Sequence, residues 1–408
     1  MTAAVDALIV GAGPAGSAAA ILLARAGWSV ALVEKERFPR RKVCGECVAP
    51  SNLPLLDSLG VGAGFEDAAG PPLRRVAFMH AGRVVEADMP APTDERGRWG
   101  RALGRETLDT LLLGQARAAG AEVLQPWSVQ AIDGGPGDWH CRIRSTDSDR
   151  ASVVHARATI DAHGSWEALP SERRASRRTP RASDLFAFKA NFRDAALAEG
   201  TLPVLGFRGG YGGMVVADGG TTTVACCIRR DRLEACRAAS PGLRAGESIE
   251  ALLVRECRGV REALQGAVRI GRWLAAGPLQ PGVRVDAGAG PLRIGNAAGE
   301  AHPIIGEGMS MALQSAWLLC SELIAAGRPD GSTTGDASQR RAAQRYVAQW
   351  RRQFEPRLLF AAAFARLAMH PAPSAALVGL SRTWPGMLTV GARIKTPLKP
   401  ARPPAART

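Results

Sequence analysis

Residues Val5–Glu34, VDALIVGAGPAGSAAAILLARAGWSVALVE, decide the fold. Val5–Val10 is short and mostly apolar, as a strand buried on both faces must be. Gly11-x-Gly13-x-x-Gly16 follows, then a helical run Ser17–Ala26 closed by Gly27, then a second apolar strand Ser29–Val33 that ends in Glu34. This order is a βαβ unit with its glycines at the strand-to-helix turn. Gly11 permits the tight turn, Gly13 lets a pyrophosphate approach the backbone, and Gly16 lets helix and strand pack closely. The helix N-terminus that follows Pro14 and Ala15 offers free N–H groups and partial positive charge to the phosphates. Glu34 stands 18 residues after Gly16, where a carboxylate can accept both hydroxyls of an adenosine ribose, with Lys35 beside it. An acid there favours an unphosphorylated ribose, hence FAD or NAD over NADP.

The 408 residues have room for two or three domain-sized cores. The net charge of +14 is carried almost wholly by Arg, since Lys occurs only at 35, 42, 189, 395 and 399. These Arg residues are scattered and no basic run is interleaved with aromatics, so nucleic acid is not an expected partner. Eight dispersed Cys and no signal peptide point to free thiols in a reducing, cytoplasmic setting. Ala7–Ala24 is uncharged throughout and would pass a membrane-span filter. It lacks a basic leader and carries three Gly and a Pro at dinucleotide spacing, so a span is not expected there.

A second stretch narrows the cofactor. Leu292–Ala312, LRIGNAAGEAHPIIGEGMSMA, reads as a short strand, a loop and the opening of a long apolar helix that runs to Ala326. It resembles the G-D-A-A-x-x-x-x-P-x-x-G-x-G element of the flavoprotein family that holds the aromatic-ring hydroxylases, the geranylgeranyl reductases and the flavin-dependent halogenases. The resemblance implies FAD, held non-covalently, with Asn296 on the ribityl chain. Pro303, Gly306, Gly308 and Met309 would lie where the helix N-terminus faces the reducible edge of the flavin. Asn296 stands where the family carries Asp, and its amide can still hydrogen-bond a ribityl hydroxyl.

Two more elements are similar to family signatures. Arg105-Glu-Thr-Leu-Asp109, at the start of a helix to about Ala119, resembles R-x-x-L-D, whose Arg contacts the cofactor. Ala158–Ser165 (ATIDAHGS) resembles A-D-G-x-x-S, with Asp161 in the acidic position but an insertion before the Gly. Between them, Val129 falls where the family clamps the adenine with backbone hydrogen bonds. Lys42-Val-Cys44-Gly45-Glu-Cys47 holds a C-x-x-C pair that suits a dithiol switch or half a zinc site. No second ligand pair exists for zinc, and the pair does not open a helix as a thioredoxin-type switch would. The family resemblance places this loop along the flavin, with Lys42, Cys44 and Gly45 lining it, Cys44 unbonded to the cofactor, and no metal.

The implied fold class is α/β: a Rossmann-like FAD-binding domain of the glutathione-reductase type, interleaved with a β-sheet substrate domain and a C-terminal helical segment. Residues 1–75, 100–170 and 280–330 would form the first. Residues 76–99 and 175–277 would form the second, with a hairpin over Val76–Asp88 and strands at Leu185–Phe192, Met214–Val216 and Thr222–Arg229. Residues 336–394 would be helical, and the basic, Pro-rich tail 395–408 disordered. Arg357–Met369 reads either as a helix packed on the other domains or as a lip over a substrate channel with peripheral membrane contact.

Gly209–Val216 (GGYGGMVV) sets four Gly around one Tyr, as if the backbone approached something flat. The halogenase W-x-W signature is absent from the chain. The resemblance therefore favours a monooxygenase of secondary metabolism. Flavin reduced by a transiently bound NAD(P)H would capture O2, and the resulting C4a-hydroperoxide would hydroxylate an apolar, aromatic or polyketide- or lipid-like small molecule. Tyr211 and His302 are the candidates to orient that substrate or move its proton, with Lys189, Tyr211 and Met214 as substrate contacts. Lys189 reads equally as a strand-end salt bridge. Two alternatives stand beside this: an FAD-dependent reductase or dehydrogenase of C=C bonds resembling the geranylgeranyl reductases, and a non-catalytic flavin-binding regulatory or carrier protein. The oligomeric state is not legible.

Overall fold

In a computed structural model, which describes residues 4–92, 94–165, 179–329 and 333–370, the opening stretch forms strand β1 (Val5–Val10), helix α1 (Pro14–Arg25) and strand β2 (Val30–Val33). The helix begins at Pro14, three residues before the expected Ser17, because the fixed φ of proline suits the first helical turn. Every residue of β2 is buried, which is why the run carries no polar alternation.

The chain continues through β3 (Cys47–Val48), α2 (Leu53–Leu59), α3 (Gly62–Ala68) and a hairpin of β4 (Arg75–His80) and β5 (Arg83–Asp88). After β6 (Arg101–Ala102) come α4 (Arg105–Ala118), β7 (Glu122–Leu124), β8 (Trp127–Gly135), β9 (Asp138–Ser145) and β10 (Ala151–Asp161). The next group is β11 (Leu185–Arg193), β12 (Thr201–Phe207), β13 (Gly210–Val216) and β14 (Thr222–Arg229). Three helices follow, α5 (Arg230–Ala238), α6 (Ala245–Glu256) and α7 (Arg258–Leu264), and then β15 (Val268–Ala276). The last elements are β16 (Gly282–Val283), β17 (Leu292–Arg293), β18 (Gly299–Glu300), α8 (Gly308–Ala326) and α9 (Thr333–Met369).

Fourteen of the described strands form two seven-stranded sheets, while β3 pairs with β6 and β16 with β18. The first runs β7-β2-β1-β10-β9-β8, with β17 also paired to β10. Its centre is parallel: Val10 pairs with Val33 on one side and Asp161 on the other, which brings the strand ends Val10, Glu34 and Asp161 to one edge. The second runs β15-β11-β14-β13-β12-β4-β5, so the 75–88 hairpin joins strands more than a hundred residues away in sequence. Helices α5–α7 cover its outer face through a core that includes Phe188, Ile228, Leu252 and Val260. The other face turns toward the first sheet. The fold is α/β, with the first sheet's helices α1, α4 and α8 packed into one apolar core.

Strands β8, β9, β12 and β15 and helices α2, α3 and α5 have no counterpart in the sequence-derived layout. The described part of the C-terminal segment is α9. The expected helix beyond 370, the tail 395–408 and most of the linker 170–183 lie outside the described residues. Among the described residues one helix, Gly308–Ala326, is long and apolar enough to cross a membrane, and it is mostly buried inside the protein.

Candidate functional site

A cavity of about 620 Å3 lies where the strand ends of the first sheet face the inner side of the second. The turn of β1 into α1 forms its floor. Gly11 has φ +99°, and a Cβ there would stand 2.6 Å from the carbonyl oxygen of Ala162. A Cβ on Gly16 would fall 1.8 Å from the Gly11 oxygen, so Gly16 serves internal packing and stands outside the lining. Gly13 is different: a Cβ there would meet only the Arg105 guanidinium at 3.6 Å, and the space it leaves opens into the cavity. Gly13 is the N-cap of α1, no side chain caps the helix, and its first turn holds no acid. Pro14 and Ala15 also line the cavity. Unpartnered N–H groups at that helix end suit an anion. The Glu34 carboxylate accepts from the N–H of Ala12 and of Glu36, both at 2.9 Å, and so fixes the turn from the end of β2.

Three cations converge above this turn. Arg105, at the start of α4, donates through Nε and Nη2 to both oxygens of buried Asp109, each at 2.7 Å. Arg40 lies 3.6 Å from both Glu34 and Asp109. Lys42 lines the cavity with them; enclosure, followed by repulsion from Arg105 and Arg40, pushes its pKa down to about 8. Three cations against two carboxylates leave a net positive cradle around an uncapped helix end. These residues fit the pyrophosphate of a dinucleotide. Arg40 was not anticipated; its signal was the spacing of FPRRK, six residues beyond Glu34.

The Lys42–Cys47 loop forms one wall. Cys44 and Gly45 line the cavity, and Cys44 Sγ accepts from the Glu46 N–H at 3.3 Å. Cys47 also borders the cavity and donates to the carbonyl of Gly45 at 3.3 Å, and neither sulfur is in a disulfide. Glu46 has φ +61° and a carboxylate that is 1% exposed, ion-paired with Lys189. Lys189 is equally buried and does not line the cavity; it forms a salt bridge, in the middle of β11 and not at a strand end, and is not placed to contact a substrate.

On the opposite wall, Asn296, Pro303, Gly306, Gly308 and Met309 all line the cavity, with Asn296 Nδ2 donating to Ser165 Oγ. Gly308 opens α8, again without a side-chain cap. Asp161 is fully buried behind the wall; its Oδ1 accepts from the N–H of His163 at 3.2 Å, and it is His163 that reaches the cavity. Lys35 and Val129 stand outside the lining. Lys35 is paired with Glu36, and Val129 sits in β8 against Ile143 of β9.

Beyond the cradle the cavity continues over the second sheet, where its lining is apolar: Phe78, Leu202, Val204, Met214, and Phe360 and Phe364 of α9. Tyr211 and Glu300 interrupt it. Tyr211, 1% exposed, lies 3.2 Å from Nδ1 of His302 and within hydrogen-bond reach of Cys227, its cross-strand neighbour. Burial, then Cys227 and Glu300, push the Tyr211 hydroxyl well above the usual phenol range. Burial, then the charge of Arg366, pushes His302 down to about 4. Both members are therefore neutral near pH 7. His302 sits just behind the lining and is half-buried, so it joins the cavity wall to the outside. Glu300, buried beside them in the lining, has its pKa raised by burial against the opposing Gln280 N–H, Arg284 and Ser165.

The glycines around Tyr211 have an internal cause. A Cβ on Gly210 would stand 2.2 Å from the Phe207 ring, and one on Gly212 2.6 Å from the Ala225 oxygen. Gly213 meets only the Pro203 oxygen at 3.1 Å and borders the cavity.

Residues 4–232, more than half of the chain, match the FAD binding domain family. The chain belongs to that family. It is an FAD-dependent oxidoreductase, and the cradle described above is where FAD fits. Among sequence relatives of this FAD-binding chain, menaquinone reductase of Mycolicibacterium smegmatis is 28% identical over 345 residues, 80% of this chain and 78% of that one. Menaquinone reductase of Mycobacterium tuberculosis is 38% identical over 119 residues, and the matched stretch spans 28% of that protein's length. Kynurenine 3-monooxygenase of Xanthomonas oryzae is 27% identical, over 77% of this chain and 71% of that one. The fold is shared with the myxobacterial chondrochloren halogenase CndH (TM-score 0.74, 22% identity, 88% and 82% of the two chains). It is shared equally with PqsL of Pseudomonas aeruginosa (TM-score 0.71, 18% identity, 92% and 99%).

Proposed function

We propose that the protein is an FAD-dependent monooxygenase that hydroxylates an apolar, ring-containing small molecule, with NAD(P)H as a transient reductant. The observation that carries this is the neutral Tyr211–His302 pair, with Tyr211 in the mostly apolar wall of a cavity continuous with the cofactor cradle and His302 directly behind it. Bound FAD would supply the redox chemistry, taking a hydride from NAD(P)H and delivering one atom of O2 to the substrate, the other leaving as water.

The chain's own residues supply position, dryness and a proton path. Phe78, Leu202 and Met214 desolvate the ring of the substrate, and Phe360 and Phe364 close the cavity from the side of α9. A hydroxyl on the substrate donates to Tyr211 Oη, which passes its own proton to His302 Nδ1. Since His302 titrates near 4, it does not store that proton. It hands it outward, and the path resets to neutral. Arg40, Lys42 and Arg105 hold the anionic part of the cofactor.

The menaquinone reductase relatives and the apolar lining favour a second reading, reduction of a C=C bond in an apolar substrate, with the same pair delivering a proton inward. Labelled dioxygen separates the two. Purified holoprotein is given NADH or NADPH with 4-alkylphenols or menaquinone, in air and anaerobically. Substrate-dependent NAD(P)H oxidation with one labelled oxygen in the product supports hydroxylation. A saturated product formed without oxygen overturns it in favour of the reductase, and a halogenated product in the presence of chloride or bromide overturns both.

A further inference from the structure

Three non-glycine residues among those described have positive φ, namely Glu46, Ala81 and Asp194, and only Glu46 is buried. An L-residue holds that conformation when its surroundings over-determine it. Here they do. The Glu46 carboxylate is reached by Lys189 Nζ from β11, by Thr223 Oγ1 from β14, and by the N–H of Arg105 at the start of α4 at 3.1 Å. Its carbonyl accepts from the N–H of Leu103 at 3.1 Å, and its own N–H donates to Cys44 Sγ. Three elements, two of them in the second sheet, thus converge on one side chain of the loop that walls the cofactor cavity.

Stability alone gives no account of this arrangement. A fully buried Lys–Glu pair is commonly no more stabilising than two well-packed apolar side chains. A carboxylate, unlike an apolar residue, can gather donors from three directions onto one loop. We propose that Glu46, held by Lys189 and Thr223, is a positioning residue for FAD: it fixes the Cys44–Gly45 stretch at the height and angle the cofactor requires. Glu46 itself borders the cavity, but its carboxylate is taken up by Lys189, Thr223 and the Arg105 N–H, so it acts by placing its loop and takes no part in the chemistry. The pair serves FAD whichever reaction the holoenzyme performs, so failure of the hydroxylase assignment leaves it standing.

The double variant Glu46→Gly/Lys189→Met isolates the effect. Glycine accepts the left-handed backbone, and methionine leaves no unpaired buried charge, so the variant lacks both usual causes of unfolding. FAD affinity is measured by flavin fluorescence quenching, flavin placement by visible circular dichroism, and folding by thermal melting. With wild-type melting of the apoprotein, FAD binding at least tenfold weaker and an altered flavin dichroism band are expected. Wild-type affinity and dichroism in the folded double variant overturn the proposal. Should that variant not fold, Thr223→Val removes one tether without stranding a charge. It is expected to weaken FAD binding two- to fivefold with the same dichroism change, and an unchanged spectrum and affinity would equally overturn the proposal.

Discussion

Gly13 and Gly16 occupy the same turn, yet their missing side chains serve different ends. A methyl on Gly16 would overlap the Gly11 carbonyl, at 1.8 Å, and no flexible side chain can give way. A methyl on Gly13 meets nothing closer than 3.6 Å until a cofactor arrives. Gly16→Ala should therefore lower apoprotein stability by roughly 1–3 kcal/mol, as overpacking does. Gly13→Ala should melt like wild type without FAD and bind FAD at least tenfold more weakly. Thermal melting with and without FAD distinguishes the two. His302 carries a second prediction. Its pKa is lowered from 6.5 to about 4 in the folded chain, so between these values the unfolded state holds a proton that the native state lacks. Stability must then rise with pH across that window and fall on acidification through it. In His302→Leu, the melting temperature should depend less steeply on pH between 4 and 6.5. The glycine roles were legible because G-x-G-x-x-G encodes contacts made within one turn. Glu46–Lys189 was not, since 143 residues separate partners that meet only when two sheets do.

Elements announced themselves where one segment buries itself locally. β1, α1, β2, α4 and α8 have apolar runs with glycine or proline punctuation, and the structure places each within a few residues of its expected bounds. β8, β9 and β10 pair in sequence order as a local meander, in segments rich in charged and polar residues. β15 carries charges and a glycine, and its strand character comes from pairing with distant β11, which a single segment does not display. The same limit applies to the cationic cradle, which draws Arg40 and Lys42 from one loop and Arg105 from α4. Burial, and then crowding by Arg105 and Arg40, lowers the pKa of Lys42 to about 8, and Asp109 and Glu34 offset only part of it. An anionic cofactor binds best when Lys42 is protonated, so binding above pH 8 must take up a proton. FAD affinity is expected to be flat from pH 6 to 7 and to fall above pH 8, by at most about tenfold per pH unit. Lys42→Met should bind FAD more weakly at pH 7 and lose this dependence, as titrations with FAD at pH 6, 7, 8 and 9 would register.

At the scale of the whole chain, the cofactor site is assembled from segments that no contiguous piece contains. The family match ends at residue 232, but Asn296, Gly306 and Gly308 line the same cavity as Gly13. The core on which α1 rests includes Met311, Leu319 and Leu323 of α8, and Trp350 of α9 packs over Gly299, where a Cβ would stand 2.4 Å from its ring. α9 thus braces the loop that α8 presents to the cavity, and Arg357 adds a buried pair to Glu307 just before that helix. A chain ending at 232 would expose one face of α1 and lose a wall of the cradle. It should therefore melt without a cooperative transition and retain no FAD through gel filtration. The intact protein should respond to FAD as a single ligand of the native state, gaining about 2.7 kcal/mol at a hundredfold excess over Kd. Spread over a chain of this size, that is a rise of roughly 3 °C in melting temperature. Cooperative melting of the truncated chain with the same FAD-induced rise would mean that residues 4–232 form the cofactor site by themselves, and that the loop before α8 only borders it.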